Sequence, residues 1–249
     1  MNKLLKKIRR IPAKLRSMRI IDQRQFYTFQ EENHLRRLFE VLEVDCVFDV
    51  GANYGQYATM LREKVGYTGQ IISFEPMPDA ITKLRQMSAG DPRWRIEELA
   101  LAKSTGTTTF NVMEHDQFSS LGSPNHDDVS IFRKKNAIRE SIIVRTETLS
   151  DALVRLRGEL NFDRPFLKMD TQGFDVEVFE SGKEMIKEFV GLQSELAFKK
   201  LYNESKGYAE ALSVYVSGGF AISALVPNNA GHFPQLVEMD TIMLRQDLL

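Results

Sequence analysis

From residue 45 onward, short runs rich in Val, Ile and Phe alternate with segments whose apolar residues recur at helical spacing. Residues 45–50, 70–75, 94–99, 165–170 and 190–195 read as strands, and residues 56–64, 78–87, 149–158 and a stretch opening near Asp175 read as helices. A further helix is expected at 208–217, and two last strands at 220–225 and 238–244. Apolar runs interleaved with helices belong to strands covered on both faces, so the pattern predicts an α/β fold with a doubly wound, mostly parallel sheet.

The chain has 249 residues, 43% of them hydrophobic, which suffices for one large domain. We expect that domain over residues 44–249, preceded by a basic amphipathic and helical extension over 1–43. An insertion is expected near 113–141, where two β-rich pieces (107–112 and 141–144) flank a polar loop; so long a loop is functional or mobile. Residues 22–43 read as a helix through Phe26, Phe29, Leu35, Leu38, Phe39 and Leu42. Before it, residues 1–20 carry eight Lys and Arg and no acid, with Leu4, Leu5, Ile8, Ile11, Leu15 and Met18 on one helical face and Pro12 as a kink. Such a face either packs on its own domain or lies on an anionic membrane surface or a partner. With 33 basic and 34 acidic residues the chain lacks the cationic excess of a nucleic-acid binder, so no nucleic-acid partner is expected. Cys46 is the single cysteine, which excludes an intrachain disulfide and fits a buried, inert thiol in a reducing compartment. Lacking a membrane-length apolar run or a signal-peptide core, the protein is expected in the cytoplasm, with membrane association through residues 1–20 as the variant reading.

The first strand ends in Asp49, followed by Gly51, Ala52, Asn53 and Gly55 and then a helix, an arrangement that sets a tight turn and a helix start beneath a ligand. Glu75 ends the next strand, about 24 residues beyond Gly51, where an acid accepts both ribose hydroxyls of an adenosine. A dinucleotide would call for Gly-x-Gly-x-x-Gly, but Asn53 replaces the middle glycine and Gly55 comes too early for the third. A methyl donor with a sulfonium cation and an amino-acid tail, and no phosphates, suits Asp49 and the Asn53 amide better. The remaining reading is that Gly51 and Gly55 merely serve the turn and Glu75 is a solvated strand end.

The segments Val47 to Gly55, Ser73-Phe74-Glu75-Pro76-Met77-Pro78, Ser119-Ser120-Leu121, Leu167 to Gly173 and the strand ending at Glu195 together resemble the FkbM-type methyltransferases, over roughly residues 45–245. The resemblance implies a Rossmann-like class I methyltransferase fold, S-adenosylmethionine as donor, and O-methylation of a sugar, glycan or natural-product hydroxyl. On this view Asp49, Gly51, Ala52, Asn53, Gly55, Glu75 and Pro76 hold the donor, with Ala100 near its adenine. Two positions depart from the family pattern, which has glutamate where Gln172 and Asp175 stand; Gln172 forms hydrogen bonds but cannot act as a base.

An alcohol attacking a sulfonium methyl group loses its proton on the way, and a carboxylate at the carboxyl end of a strand is placed to take it. Asp170 is the first candidate for that base, with Glu195 as its partner or as the base itself. Lys168 shares a strand face with Asp170 and is expected to tune it, and Lys168, Gln172, Ser119 and Ser120 are read as acceptor contacts. No Gly-x-Ser-x-Gly elbow surrounds the two serines, which argues against a covalent mechanism. No zinc spacing is present and no metal is predicted, although two carboxylates and Gln172 have the chemistry for Mg²⁺. His115 and His126 flank the serine segment, and Arg133, Lys134, Lys135 and Arg139 form a basic run read as a solvated face unless the acceptor is phosphorylated. N-methylation of an amine and donor binding without turnover are the competing functions.

Overall fold

Cys46–Val50 are buried along their whole length, so the strand they form has to be covered above and below. The computed structural model describes residues 26–125, 137–227 and 234–248. In chain order the elements are α1 (Phe26–Val41), β1 (Cys46–Val50), α2 (Gln56–Met60, prolonged by a π-helical turn Leu61–Val65), β2 (Gln70–Phe74), α3 (Pro78–Ser88) and β3 (Trp94–Glu97). A short β4 (Ala100–Leu101) leads to β5 (Gly106–Met113) and β6 (Ile138–Glu147), and then come α4 (Leu149–Leu160), β7 (Pro165–Met169), α5 (Asp175–Ser181) and β8 (Gly191–Ala197). The chain closes with α6 (Tyr208–Ser217), β9 (Phe220–Val226) and β10 (Glu238–Arg245).

Seven strands form one sheet in the order β3-β2-β1-β7-β8-β10-β9. All neighbours are parallel except β10, which runs antiparallel to β8 and β9. Alternate side chains feed two cores. Phe48, Val50, Leu167 and Met169 pack with Leu149, Leu153 and Leu156 of α4 and Val178 of α5, while Val47, Ile71 and Phe166 pack with Leu35 and Phe39 of α1 and Leu61 after α2. Each such buried side chain contributes roughly 1.5–3 kcal/mol. The sheet is thus Rossmann-like and doubly wound. From β1 the chain moves outward to β2 and β3, then returns to β7 on the other side of β1, so a crevice opens over the carboxyl ends of β1 and β7. Pro78 sits in the first turn of α3, where its missing N–H costs nothing, and the Thr148 hydroxyl caps α4 by accepting from the Asp151 N–H at 3.1 Å.

The insertion is carried by two paired strands. β5 and β6 pair antiparallel from Gly106–Thr146 to Met113–Ile138, and β4 lies parallel to β6, giving a separate three-stranded sheet. The two β-rich pieces are therefore parts of one ribbon, and Ser120 folds back to exchange both backbone hydrogen bonds with Asn111 at 2.9 and 3.0 Å. The basic segment 1–20, and with it any membrane contact, lies outside the described residues, as do His126, Arg133, Lys134, Lys135 and His232. No helix among the described residues is long and apolar enough to cross a membrane.

Candidate active site

A cavity of about 420 Å³ occupies the crevice. Gly51, Ala52 and Asn53 line it after β1, Glu75 and Pro76 after β2, Ala100 from β4, and Asp116, Phe118 and Ser119 from the insertion. On the far side stand Lys168, Asp170, Gln172, Glu195, Glu238 and Asp240, with Glu31 of α1 beside them. Among the described lining side chains Lys168 is the one cation, against seven carboxyl groups, so the wall is rich in acids.

The turn after β1 is set by close approach. Gly51 has φ +76°, and a Cβ there would lie 2.0 Å from the carbonyl oxygen of Asp170. Asn53 also has positive φ (46°), which its side chain eases by accepting from the Tyr54 N–H at 2.7 Å. The Asn53 N–H donates to Glu75 Oε2 at 2.8 Å, and the Met77 N–H to Glu75 Oε1 at 2.9 Å. Glu75 thus braces the loop while facing the cavity, and each oxygen retains a lone pair for a ligand hydroxyl. Burial pushes its pKa up to about 7, against the two N–H donors that favour the carboxylate.

Three expected site residues lie outside the cavity wall, Asp49, Gly55 and Ser120. The register of β1 and β7 sets Asp49 directly beside Lys168, and the carboxylate is fully buried with Oδ1 3.2 Å from Lys168 Nζ and Oδ2 accepting from the Ser73 hydroxyl. Asp49 therefore holds the lysine beneath the loop. Gly55, with φ +83°, faces Leu84 and Trp94 in the core behind the loop. The Ser120 hydroxyl donates to the Gln172 carbonyl at 2.8 Å, pinning the insertion to the segment after β7. Ser119 does line the cavity, though its Oγ is engaged by the Met113 N–H at 3.1 Å. Lys168, read as an acceptor contact, has its ammonium shared between Asp49 and Asp170 (3.6 Å) and set 5.2 Å from the Tyr57 ring centre. Burial pulls its pKa down, but the two carboxylates outweigh it and hold the lysine above its ordinary value.

The Asp170 side chain is 44% exposed toward the cavity, and its Oδ1 accepts from Gln172 Nε2 at 2.8 Å. Asp175 faces inward at the start of α5, accepting from the Thr171 N–H and hydroxyl and from the Ser194 hydroxyl, and burial raises its pKa. Burial, and then the neighbouring Glu238, push the Glu195 pKa well above its ordinary value. Asp240 is raised by burial and by Glu31, and Glu31 by burial against the Gln193 amide. That amide bridges Glu31 (2.7 Å) and Asp240 (3.2 Å), while its oxygen accepts from Tyr57 at 3.0 Å. Sequence reasoning missed Glu31, Gln193, Glu238 and Asp240. Gln193 was within reach, since it shares the strand face of Glu195; the others depend on which elements pack together. No group of three or more His, Cys, Asp or Glu side chains among the described residues is arranged to hold a metal ion.

The family described as the methyltransferase FkbM domain matches residues 49–230. No curated protein matches the sequence. Among solved structures, methyltransferase FkbM from Methylobacillus flagellatus KT is similar at 14% identity and a TM-score of 0.50, over 80% of this chain and 44% of that one. This chain thus spans less than half the length of that relative, and the likeness is one of fold. Aeropyrum pernix fibrillarin with natively bound S-adenosyl-L-methionine matches at 11% identity and a TM-score of 0.43, over 80% of this chain and 66% of that one. Magnesium protoporphyrin IX methyltransferase from Synechocystis PCC 6803 with bound SAM matches at 10% identity and 0.46, over 98% and 92%. The sheet has the class I methyltransferase fold, and with more than half of its length matched, the chain belongs to the methyltransferase FkbM domain family.

Proposed function

We propose that the chain transfers a methyl group from S-adenosylmethionine to a hydroxyl of a sugar, glycan or natural-product acceptor. The observation that carries this reading is the pairing, in one cavity, of the Gly51–Asn53 loop braced by Glu75 with the exposed, hydrogen-bonded carboxylate of Asp170. A wall with seven carboxyl groups and one lysine suits a donor whose sulfonium and ammonium are both cationic better than it suits a pyrophosphate. Ala100 lines the cavity near the donor loop, as an adenine contact would require.

The donor supplies an activated methyl group, whose C–S bond breaks as the acceptor C–O bond forms. The protein's part is position and proton transfer. Gln172 and Lys168 hold Asp170 with an oxygen toward the cavity, where it takes the hydroxyl proton. Glu195 lines the same cavity, where its carboxyl group orients the acceptor by hydrogen bonding. Asp116 and Phe118 of the insertion cover the same space. A second reading, methylation of an amine, is favoured by Glu31, Glu238 and Asp240, carboxyl groups that can accept from an amine N–H and take the proton that frees its lone pair.

Calorimetric titration with S-adenosylmethionine, S-adenosylhomocysteine and NAD tests the donor. The expected result is saturable binding of the first two, tighter for the cationic one, weakened in Glu75→Ala, and none of NAD. Turnover on paired hydroxyl and amino sugars then separates the two acceptors, with Asp170→Asn abolishing hydroxyl methylation. Binding of NAD alone, or donor binding indifferent to Glu75, would sink the assignment.

A further inference from the structure

We propose that Tyr202 is a positioning residue for Asp170, acting through the side-chain amide of Gln172 and tied at the same time to the insertion. The inference rests on the reading of Asp170 as proton acceptor. An ionised carboxylate only accepts hydrogen bonds, so Gln172 has to turn its NH₂ toward Asp170 Oδ1, at 2.8 Å. The amide oxygen then faces the Tyr202 hydroxyl at 3.1 Å. That hydroxyl also lies 2.7 Å from the backbone carbonyl of Phe118, which lines the cavity from the insertion. One O–H serves two acceptors, so the phenol links the covering segment to the orientation of the amide.

The ring is held for this purpose. Tyr202 is 2% exposed, and a Cβ at Gly173, which has φ +94°, would lie 3.0 Å from Tyr202 Cδ2, so the ring lies tight against the segment carrying Gln172. Gln172 itself adopts positive φ (53°), a conformation that a non-glycine residue keeps only when its surroundings hold it. Facing Asp170 are Lys168 from β7, Asp175 from α5, Glu195 from β8, Asp240 from β10, Glu31 from α1 and the Tyr202 phenol. Most of these are acids. The Gln172 N–H is thus a donor to Asp170 set among acids, and the Tyr202 hydroxyl fixes the amide from its other end, at the oxygen.

The test needs no acceptor. Aspartate carboxyl ¹³C resonances are followed against pH in the full chain, with Asp170 assigned by its loss in Asp170→Asn. Tyr202→Phe is expected to raise the Asp170 midpoint by about 0.3–1 unit and Gln172→Ala by at least as much. In the double variant the midpoint equals that of Gln172→Ala, since the phenol acts through the amide. S-adenosylmethionine affinity of Tyr202→Phe stays within about twofold, because the phenol is not in the cavity wall. An unmoved midpoint in Tyr202→Phe, or the same increment surviving in the Gln172→Ala background, overturns the proposal. Should Tyr202→Phe fail to fold, an unmoved midpoint in Gln172→Ala overturns it equally. Absence of donor binding by the unaltered protein would instead overturn the donor assignment, and the titration would still decide the Tyr202 linkage.

Discussion

Alanine at Gly51 adds one methyl group at a position where the backbone itself is the obstacle. With φ at +76°, a side chain there costs about 1–2 kcal/mol in backbone strain alone. The added Cβ would lie 2.0 Å from the Asp170 carbonyl oxygen and 2.8 Å from its carbon. Relief requires parting β1 from the segment after β7, against the Asp170 N–H bond to the Val50 carbonyl at 3.0 Å. Overpacking of this kind costs about 1–3 kcal/mol, so the total is about 2–5 kcal/mol, or roughly 5–15 °C in Tm for a chain of this size. Gly55→Ala is the internal control: its φ is +83°, but the added atom meets Leu84 Cδ2 and the Trp94 ring edge, side-chain atoms that can shift. Its cost should be near the strain alone, about 1–2 kcal/mol. Urea unfolding followed by circular dichroism measures both, and calorimetry should find donor affinity reduced in Gly51→Ala because Asp170 and the loop move apart. A Gly51→Ala loss under about 1 kcal/mol, or one no larger than that of Gly55→Ala, would refute the close-approach argument.

Lys168→Met leaves the fully buried Asp49 without its cation and is expected to cost about 3–5 kcal/mol, with Asp49→Asn in the same chain restoring part of it. Urea unfolding of the two variants is the check, and a single-variant loss near zero would contradict the ion pair. Glu75 has a folded pKa of about 7 against an ordinary 4.5, so the folded state keeps its proton longer than the unfolded one. Stability attributable to this group therefore falls as pH rises from about 4.5 to about 7 and is flat above, by roughly 3 kcal/mol in all. Glu75→Gln should abolish that slope, and a wild-type-minus-variant difference that is flat across this window would refute it. Calorimetry at pH 6 and pH 8 should show the donor bound more tightly at the higher pH in the wild type alone, because the ionised carboxylate is the better acceptor of ribose hydroxyls.

Local chemistry made most of the sheet legible. Apolar runs such as Cys46–Val50 and Pro165–Met169, punctuated by Gly51 and Gly173, place strand ends and turns by propensity and sterics that act over a few residues. The same locality brought the Gly51–Asn53 loop, Glu75 and Asp170 to the carboxyl edge of the sheet, since each follows its own strand directly. Within the polar stretch after Met113, Ser120 pairs back to Asn111 through backbone groups that composition does not encode.

What each carboxylate does depends on its neighbours. Asp49 and Lys168, more than a hundred residues apart, pair because β1 and β7 lie side by side in one register. Glu31 reaches the cavity because α1 packs across the sheet, and Asp240 does so because antiparallel β10 sets it opposite Glu195. Tyr202 meets Gln172 and Phe118 only where three loops converge. The sequence alone determined the strand-turn-helix units and the residues at their ends, because those follow from short-range sterics and hydrophobic periodicity. The tertiary structure decided which of these residues are buried, paired or open to a ligand, because burial and charge pairing are set by neighbours in space.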